Sequence, residues 1–415
     1  MATKFSAPKD QRFECRDCPA RCCRLPWAIK FSQDEVDRYL AEPWVQTRAG
    51  VDGLNVIAGG TLPMREHERR LQCLFLDEDQ LCGMQKQFGH SYIPRACQAF
   101  PFGFIKNEKG EILAQLSQLC PSIRENYGKP VDKQLKIKLK QKGDVERMTT
   151  AMSSLGRVLL GQNQYLEVAR AWTTELRKEL SPADILAHLY DRMMTFDRAL
   201  PEGSERVENK AVERALAQAR DTLPDPLEPT PRASFHARAL YSYLLGNLCY
   251  PARVRQSHRV GGGGALHGVR SLLNKWAWLR ERGTVDMLFV KNRFRLQRVR
   301  SVKRFLDQPT GALVRQYLLL TVQRRQLFAT PRYIHDPIID MCLATALISR
   351  FARCMAAADE RDTVTDADVR EAISVAELVL VSHVTLAEEG KTMSNLRVLM
   401  LSSRDKLRAL LASEA

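Results

Sequence analysis

Eight of the eleven cysteines in this 415-residue chain lie within its first 120 residues. The opening segment, residues 1–11, is polar and has no apolar stretch typical of a secretion signal, so we expect a cytoplasmic protein. In the reducing cytosol, clustered cysteines more often serve as metal ligands or redox groups than as disulfide partners. The first 120 residues are therefore predicted to form a metal-binding or redox module.

The eight N-terminal cysteines form one tight group followed by four that are more widely spaced. Thiolates are soft ligands that suit zinc or an iron–sulfur cluster, and short spacings let them converge on one centre with little loss of chain entropy. Three arginines lie among the first four thiols and would lower their pKa values. The spacing leaves open whether there are two four-ligand sites or one site with spare thiols. The predicted metal ligands are Cys15, Cys18, Cys22, Cys23, Cys73, Cys82, Cys97 and Cys120.

The other cysteines and the segment between Cys73 and Cys82 have simpler interpretations. The acidic residues 77–79 and Gln80 predict a turn between two short extended segments. The last three cysteines each stand alone in an apolar helical stretch and are predicted to be buried structural thiols. They are Cys249, Cys342 and Cys354.

Beyond residue 125 the chain has the pattern of successive amphipathic helices. Apolar residues recur at three- and four-residue spacing, and no alternation of strands and helices indicates a parallel sheet. The predicted fold is therefore mainly α, with a loop-rich cysteine domain at 1–125, a helical segment at 126–223 and a basic helical domain at 232–415. Helices are predicted at 144–160, 164–180, 181–200, 204–223, 233–248, 265–282, 312–327, 336–357, 365–389 and 394–411.

The net charge of +15 is concentrated in the helical part: residues 1–130 carry +2 and the remainder +13. The densest basic stretch, residues 291–305, predicts a helix with Arg293, Arg300 and Arg304 along one side and Phe294 and Phe305 packed inward. Such a face could bind nucleic acid or an acidic partner protein, or could simply be solvated. No helix-turn-helix or zinc-finger spacing favours nucleic acid. No stretch approaches the ~20 apolar residues of a membrane-spanning helix, so no membrane association is expected.

The cysteine motifs resemble a known family. They are Cys15-x2-Cys18-x3-Cys22-Cys23, Cys73-x-Phe75-Leu76-Asp77-x4-Cys82, and Pro94-Arg95-x-Cys97 followed by Phe100-Pro101-Phe102. Over residues 13–121 they resemble the YkgJ-type cysteine-cluster domain, a family of zinc- or iron-chelating domains. With Cys120-Pro121 and the long helical region, the layout is also similar to that of flagellin lysine N-methylases. That resemblance implies a [4Fe–4S] cluster or zinc, S-adenosylmethionine as methyl donor, and a protein substrate such as flagellin.

A methylase of this kind needs a neutral acceptor lysine, and therefore a base or a desolvated pocket. His90, His67, Asp77 and Asp79 lie near the cysteines and are the catalytic candidates, although a structural role fits His90 as well. The chain departs from the common Cys-x3-Cys-x2-Cys motif of radical S-adenosylmethionine enzymes, because Leu25 stands where the third cysteine would be. The alternative is a non-enzymatic module, with structural zinc or redox-sensing thiols, whose basic helices bind a partner protein or nucleic acid.

Overall fold

The fold is mainly α-helical, as the sequence predicts. A few short strands accompany the helices. The computed structural model describes residues 5–6, 10–15, 21–24, 29–67, 70–142, 145–147, 151–152, 158–201, 207–221, 227–230, 233–246, 266–287, 289–323, 332–380 and 403–414.

The chain up to residue 142 consists of short elements. In chain order they are β1 (Phe5–Ser6), β2 (Arg12–Phe13), a 3₁₀ turn (Arg21–Arg24), α1 (Gln33–Ala41), α2 (Pro43–Ala58), β3 (Met64–His67), β4 (Arg70–Cys73), α3 (Gly83–Phe88), α4 (Arg95–Ala99), β5 (Phe102–Lys106), β6 (Ile112–Leu116), α5 (Pro121–Glu125), β7 (Lys129–Pro130), a second 3₁₀ turn (Val131–Gln134) and α6 (Leu135–Lys142). Strands β3 and β4 form an antiparallel hairpin, and β2 pairs with β7.

A four-stranded sheet in the order β1–β6–β5–β8 separates two hydrophobic clusters, where β8 is Glu146–Arg147. Successive side chains of a strand point to opposite faces of the sheet, so each face can pack against a different cluster. Phe102, Phe104 and Leu116 pack on one face in a cluster with the N-terminal elements. Ile105 and Leu113 point to the other face and join the core of the helical part. The sheet therefore packs against both parts of the chain. The domain boundaries at 125 and 223–232 stay predictions.

The rest of the chain is dominated by helices. After β8 the elements are β9 (Ala151–Met152), β10 (Leu159–Leu160), α7 (Gln162–Leu176), α8 (Pro182–Ala199), α9 (Asn209–Arg220), α10 (Phe235–Leu244), α11 (Leu266–Arg280), β11 (Thr284–Val285), β12 (Phe294–Arg295), α12 (Leu296–Val299), α13 (Gly311–Gln323), β13 (Arg332–Tyr333), α14 (Asp336–Ala358), α15 (Asp366–Leu380) and α16 (Arg404–Ala412). None of the described helices is both long and apolar enough to cross a membrane.

Helix α14 forms the centre of the helical part and packs against α8, α15 and α16. Nearly every one of its residues is buried, as expected for a helix that is apolar on all sides. The predicted helix start at Ser181 is confirmed, because the Ser181 hydroxyl accepts a hydrogen bond from the Asp184 amide at 3.1 Å. The predicted helix start at residue 365 is also confirmed, and a capping box forms there: the Thr365 amide donates to the Asp368 carboxylate at 2.8 Å.

Two of the predicted helices are wrong. The described residues of the stretch 144–160 form β8, β9 and β10, because β8 pairs with β5 and β9 pairs with β13. Pairing with distant strands overrides a weak local helical pattern there. The stretch 291–305 holds only β12 and the four-residue α12, although Phe294 and Phe305 are buried as predicted.

The arginines of 291–305 are largely occupied by contacts within the chain. Arg293 pairs with Asp286 at 3.0 Å, and Arg300 pairs with Glu281 at 2.7 Å. The Arg304 guanidinium donates to backbone carbonyls, including that of Ala412 at 3.4 Å. These contacts tie the segment to the helical core, and they weaken the case for a nucleic-acid-binding face.

A buried ionic network joins α14 to the end of the described chain. The Glu414 carboxylate, which is fully buried, accepts hydrogen bonds from Arg350, Arg353, Ser349 and the Tyr241 hydroxyl at 2.9–3.2 Å. Burying a carboxylate is costly unless it is fully paired, and this one is paired on both oxygens. The network holds α10, α14 and the residues after α16 in one arrangement.

Candidate functional site

Five of the predicted ligand cysteines, from three separate stretches of chain, come together beside one hydrophobic cluster. Cys22 and Cys23 occupy the first 3₁₀ turn, Cys73 ends β4, Cys82 immediately precedes α3, and Cys97 lies in α4. The Sγ atoms of Cys22 and Cys23 are 3.9 Å apart. We refer to these five residues as the thiol cluster.

The electrostatics show how closely the thiol cluster is packed. The hydrogen bond to Cys23 and burial raise the pKa of Cys22 well above its ordinary value. Burial, with a smaller contribution from repulsion by Cys82 and Cys22, raises the pKa of Cys73 to about 12. Burial also raises the pKa of Cys97, with added repulsion from Cys73, Cys22 and Cys82. Each thiol therefore keeps the others protonated unless a positive charge joins them.

The thiol of Cys23 combines opposing influences. The hydrogen bond from Cys22 lowers its pKa, but burial and the charges of three other cluster thiols outweigh that bond and raise it. A metal cation among these sulfurs would reverse the balance, because metal binding requires deprotonated thiolates and releases protons.

A tight turn between Cys73 and Cys82 brings the two cysteines close together. The turn predicted at residues 77–80 is present: the Asp77 amide donates to the Leu81 carbonyl at 2.9 Å, and Leu76 forms a bridge with Cys82. Ion pairs of the Asp77 carboxylate stabilise the turn: it pairs with Arg48 at 2.7 Å and with Lys86 at 3.1 Å. Local backbone hydrogen bonds therefore bring the two cysteines together.

Glu35 positions the helix that carries Cys97, and the sequence analysis missed it. This buried carboxylate accepts hydrogen bonds from the Arg95 amide at 2.8 Å and the Ser32 amide at 2.9 Å. Its charge also raises the pKa of Cys97. The capping-box spacing Ser32-x-x-Glu35 was a visible signal for the start of α1. Its second contact, to Arg95 sixty residues away, had no signal in the sequence.

Cys15 and Cys120 form a second, smaller group around Lys138. Burial lowers the pKa of Lys138, and the nearby sulfurs of Cys15 and Cys120 oppose that shift. The Lys138 ammonium donates to the Gln98 carbonyl at 2.7 Å, next to Cys97. Lys138 thus places positive charge beside Cys15 and Cys120.

The remaining cysteines divide into described and undescribed positions. Cys18 and Cys249 lie outside the described residues. Cys342 and Cys354 are fully buried in α14, as predicted for structural thiols. The eight predicted ligands are therefore distributed as five in the thiol cluster, two beside Lys138 and one outside the described chain.

The four catalytic candidates lie around the cysteines in different settings. Asp77 and Asp79 both pair with Lys86, at 3.1 Å and 2.7 Å. The Asp77 charge also raises the pKa of Cys82. His90 follows α3 and is largely exposed. Partial desolvation of its ring, together with the charge of Lys138, lowers its pKa. His67 is exposed at the end of β3. Their catalytic roles stay predictions.

The donor chemistry of the thiol cluster suits a soft metal, but its spacing is not that of a bound ion. In the described part of the chain, no group of three or more Cys, His, Asp or Glu side chains is arranged to hold a metal ion. The sulfurs are the ligand type that zinc and iron–sulfur clusters use. A metal centre here would require at least three of the five thiols to draw together.

Comparison with known proteins gives limited similarity to two bacterial proteins. The flagellar biosynthetic protein FliU of Salmonella muenchen is 30% identical over 111 residues, which are 26% of this chain and 64% of FliU. A lysine-N-methylase of Salmonella typhimurium is 29% identical over 118 residues, which are 27% of this chain and 29% of that protein. The chain thus spans less than two thirds of each relative's length.

Two further comparisons found nothing. No family model matches the chain, so membership of the YkgJ-type family stays a prediction. No solved structure matches it either. The similarity that exists is to flagellar and lysine-methylating proteins, over about a quarter of the chain.

Proposed function

We propose that this chain is a protein-lysine N-methylase whose thiol cluster holds an iron–sulfur centre. The convergence of Cys22, Cys23, Cys73, Cys82 and Cys97 in one desolvated cluster is the observation that carries the proposal. The similarity to a lysine-N-methylase supports the reaction, and the similarity to FliU supports a flagellar protein such as flagellin as the substrate.

The thiol cluster would supply the site for a [4Fe–4S] centre. Four thiolates suffice for such a centre, and three leave one iron with an open position, so five cysteines include at least one that is not a ligand. Once bound, the centre would offer an iron site for the amine and carboxylate of S-adenosylmethionine.

The proposed reaction joins a lysine nitrogen to the methyl group of S-adenosylmethionine. The neutral Nζ atom attacks the methyl carbon, the bond from that carbon to sulfur breaks, and the sulfonium leaves as a neutral thioether. The nitrogen then gives up a proton. His90 is the strongest of the four candidates for accepting it, because its lowered pKa keeps the ring neutral, and able to accept a proton, to lower pH than an ordinary histidine.

The proposal is tested by methyl transfer to a protein acceptor. The full-length chain, purified without oxygen, is incubated with S-adenosylmethionine labelled in its methyl group and with flagellin. We expect label on lysine side chains, identified by mass spectrometry. Flagellin whose lysines have been acetylated serves as the matched control and should stay unlabelled. Equal labelling of both acceptors, or no labelling of either by the iron-loaded chain, would contradict the proposal.

A redox-sensing module is the second candidate, favoured by the contact between Cys22 and Cys23. Their sulfurs lie 3.9 Å apart in a 3₁₀ turn near three further thiols. Oxidation of a thiol pair to a disulfide gives up two electrons and two protons to an oxidant such as peroxide. In that case the thiols of the purified chain would react freely with a thiol reagent and no metal would be retained.

A further inference from the structure

An arginine-lined cavity in the helical part is the strongest unassigned feature of the described chain. It has a volume of about 350 Å³, within the usual range for small-molecule sites. Its lining residues are Ala233, Arg238, Arg280, Glu281, Arg282 and Arg300. Only Ala233 is apolar, so the cavity is unsuited to a hydrophobic ligand. The four guanidinium groups come from three separate parts of the chain.

The one carboxylate in the cavity wall already forms ion pairs. Glu281 is buried, and its Oε2 atom pairs with Arg300 at 2.7 Å. Its Oε1 atom pairs at 3.2 Å with Arg350, which belongs to the buried network around Glu414. Glu281 therefore fixes one arginine of the wall and leaves little charge to neutralise the others.

The other three arginines have no carboxylate partner among the residues that the structure describes. Arg238 donates through Nη1 to the Leu279 carbonyl at 3.2 Å, while its buried Nε atom has no hydrogen-bond acceptor. The Arg280 guanidinium lies over the Trp276 ring at 4.4 Å, which restricts its position. Arg282 is exposed in the turn after α11. The cavity thus holds several donors whose charge is not balanced locally.

Stabilisation of a helix end explains only part of this arrangement. Basic residues near a helix C-terminus interact favourably with the helix dipole, which accounts for Arg280 and Arg282 at the end of α11. It does not account for Arg238 from α10 or Arg300 from the segment after α12. Like charges brought together from different elements repel one another, so their convergence indicates a site for an anion.

We propose that this cavity binds a ligand carrying two or more phosphate groups, such as a nucleoside polyphosphate. Guanidinium groups match phosphate oxygens in planar, paired hydrogen bonds, and the three that lack a carboxylate partner offer more donors than a single small anion can engage. The site lies in the helical part and does not depend on the thiol cluster. Its presence is therefore independent of the proposed methylase activity.

Binding is tested by calorimetry on the full-length chain with pyrophosphate, ATP, orthophosphate and citrate. We expect saturable binding of pyrophosphate and ATP that is at least about tenfold tighter than that of orthophosphate or citrate. Tighter binding of ATP than of pyrophosphate would identify a nucleotide as the ligand, and equal binding would identify the phosphate groups alone. Citrate binding as tightly as pyrophosphate, or no saturable binding of either phosphate compound, would overturn the proposal.

A matched pair of variants separates a specific site from general positive charge. Replacing both exposed arginines, Arg280→Gln with Arg282→Gln, should weaken pyrophosphate binding at least about tenfold while the circular dichroism spectrum is unchanged. Arg177→Gln is the control, because Arg177 is exposed at the end of α7 and does not line the cavity. Binding that survives the double substitution, or that falls equally in the control, would show that the cavity is not the site.

Discussion

Replacing Cys97 with alanine is expected to remove the bound iron and to abolish methyl transfer in the same sample. Cys97 lies close to the other thiols of the cluster, since the charges of Cys73, Cys22 and Cys82 all raise its pKa. Its helix is fixed by the buried Glu35, so a neighbouring side chain cannot easily replace it. We expect activity to fall by at least about 100-fold, more than the ~10- to 100-fold cost of losing a residue that only supports a metal ligand. Iron analysis and the methyl-transfer assay measure both effects.

Cys342→Ala is the matched control for this prediction. Cys342 is fully buried whereas Cys97 is half-buried, but it lies in α14 within the helical core, and no cysteine of the thiol cluster contributes to its pKa shift. It should lose some stability and keep its iron and its activity per folded chain. If Cys97→Ala keeps full iron content, or if both variants lose it to the same extent, Cys97 is not a ligand and the thiol cluster is not the metal site.

Arg350→Met is expected to produce the largest loss of stability of any single substitution considered. Arg350 is 5% exposed and pairs with Glu414 at 2.8 Å and with Glu281 at 3.2 Å. Its guanidinium also covers the Tyr241 ring at 4.7 Å. Methionine fills similar space but leaves two buried carboxylates with fewer partners, and breaking such a network costs about 3–5 kcal/mol. Urea unfolding followed by circular dichroism should show a much lower midpoint.

The control for Arg350→Met is the same substitution at an exposed ion pair. Arg293 is 66% exposed in its side chain and pairs with Asp286 at 3.0 Å. Exposed pairs are worth about 0–1 kcal/mol, so Arg293→Met should shift the midpoint only slightly. Similar losses at the two positions would mean that the network around Glu414 does not hold the helices together as described.

The sequence singled out eight cysteines as ligands and left open whether they form one site or two. In the structure Cys22, Cys23, Cys73, Cys82 and Cys97 converge. Cys15 does not join them, although it is only seven residues from Cys22. Strand β2, just before Cys15, pairs with β7, and this pairing places Cys15 in the group with Cys120 and Lys138. Strand pairing between residues over a hundred positions apart cannot be predicted from cysteine spacing.

Helices were predicted correctly where local sequence signals are strong. They were predicted wrongly where contacts between distant residues determine the secondary structure. The helix starts predicted at residues 181 and 365 are correct, and Ser181 and Thr365 cap those helices. The helix predicted at 144–160 was wrong because two short segments of that stretch pair with β5 and β13. Helix α2 went unpredicted because Gly50, at φ 62°, interrupts its periodicity. The buried carboxylates Glu281 and Glu414 also resemble ordinary surface residues in the sequence, since their partners lie far away in the chain.

The most direct test of the proposed iron–sulfur methylase is the metal content of the chain purified without oxygen. Iron, zinc and acid-labile sulfide are measured on one sample, together with its absorption spectrum. The proposal predicts about four irons and four sulfides per chain, with a broad absorbance near ~400 nm that bleaches on reduction. Stoichiometric zinc without sulfide, or thiols that titrate freely with no bound metal, would contradict it.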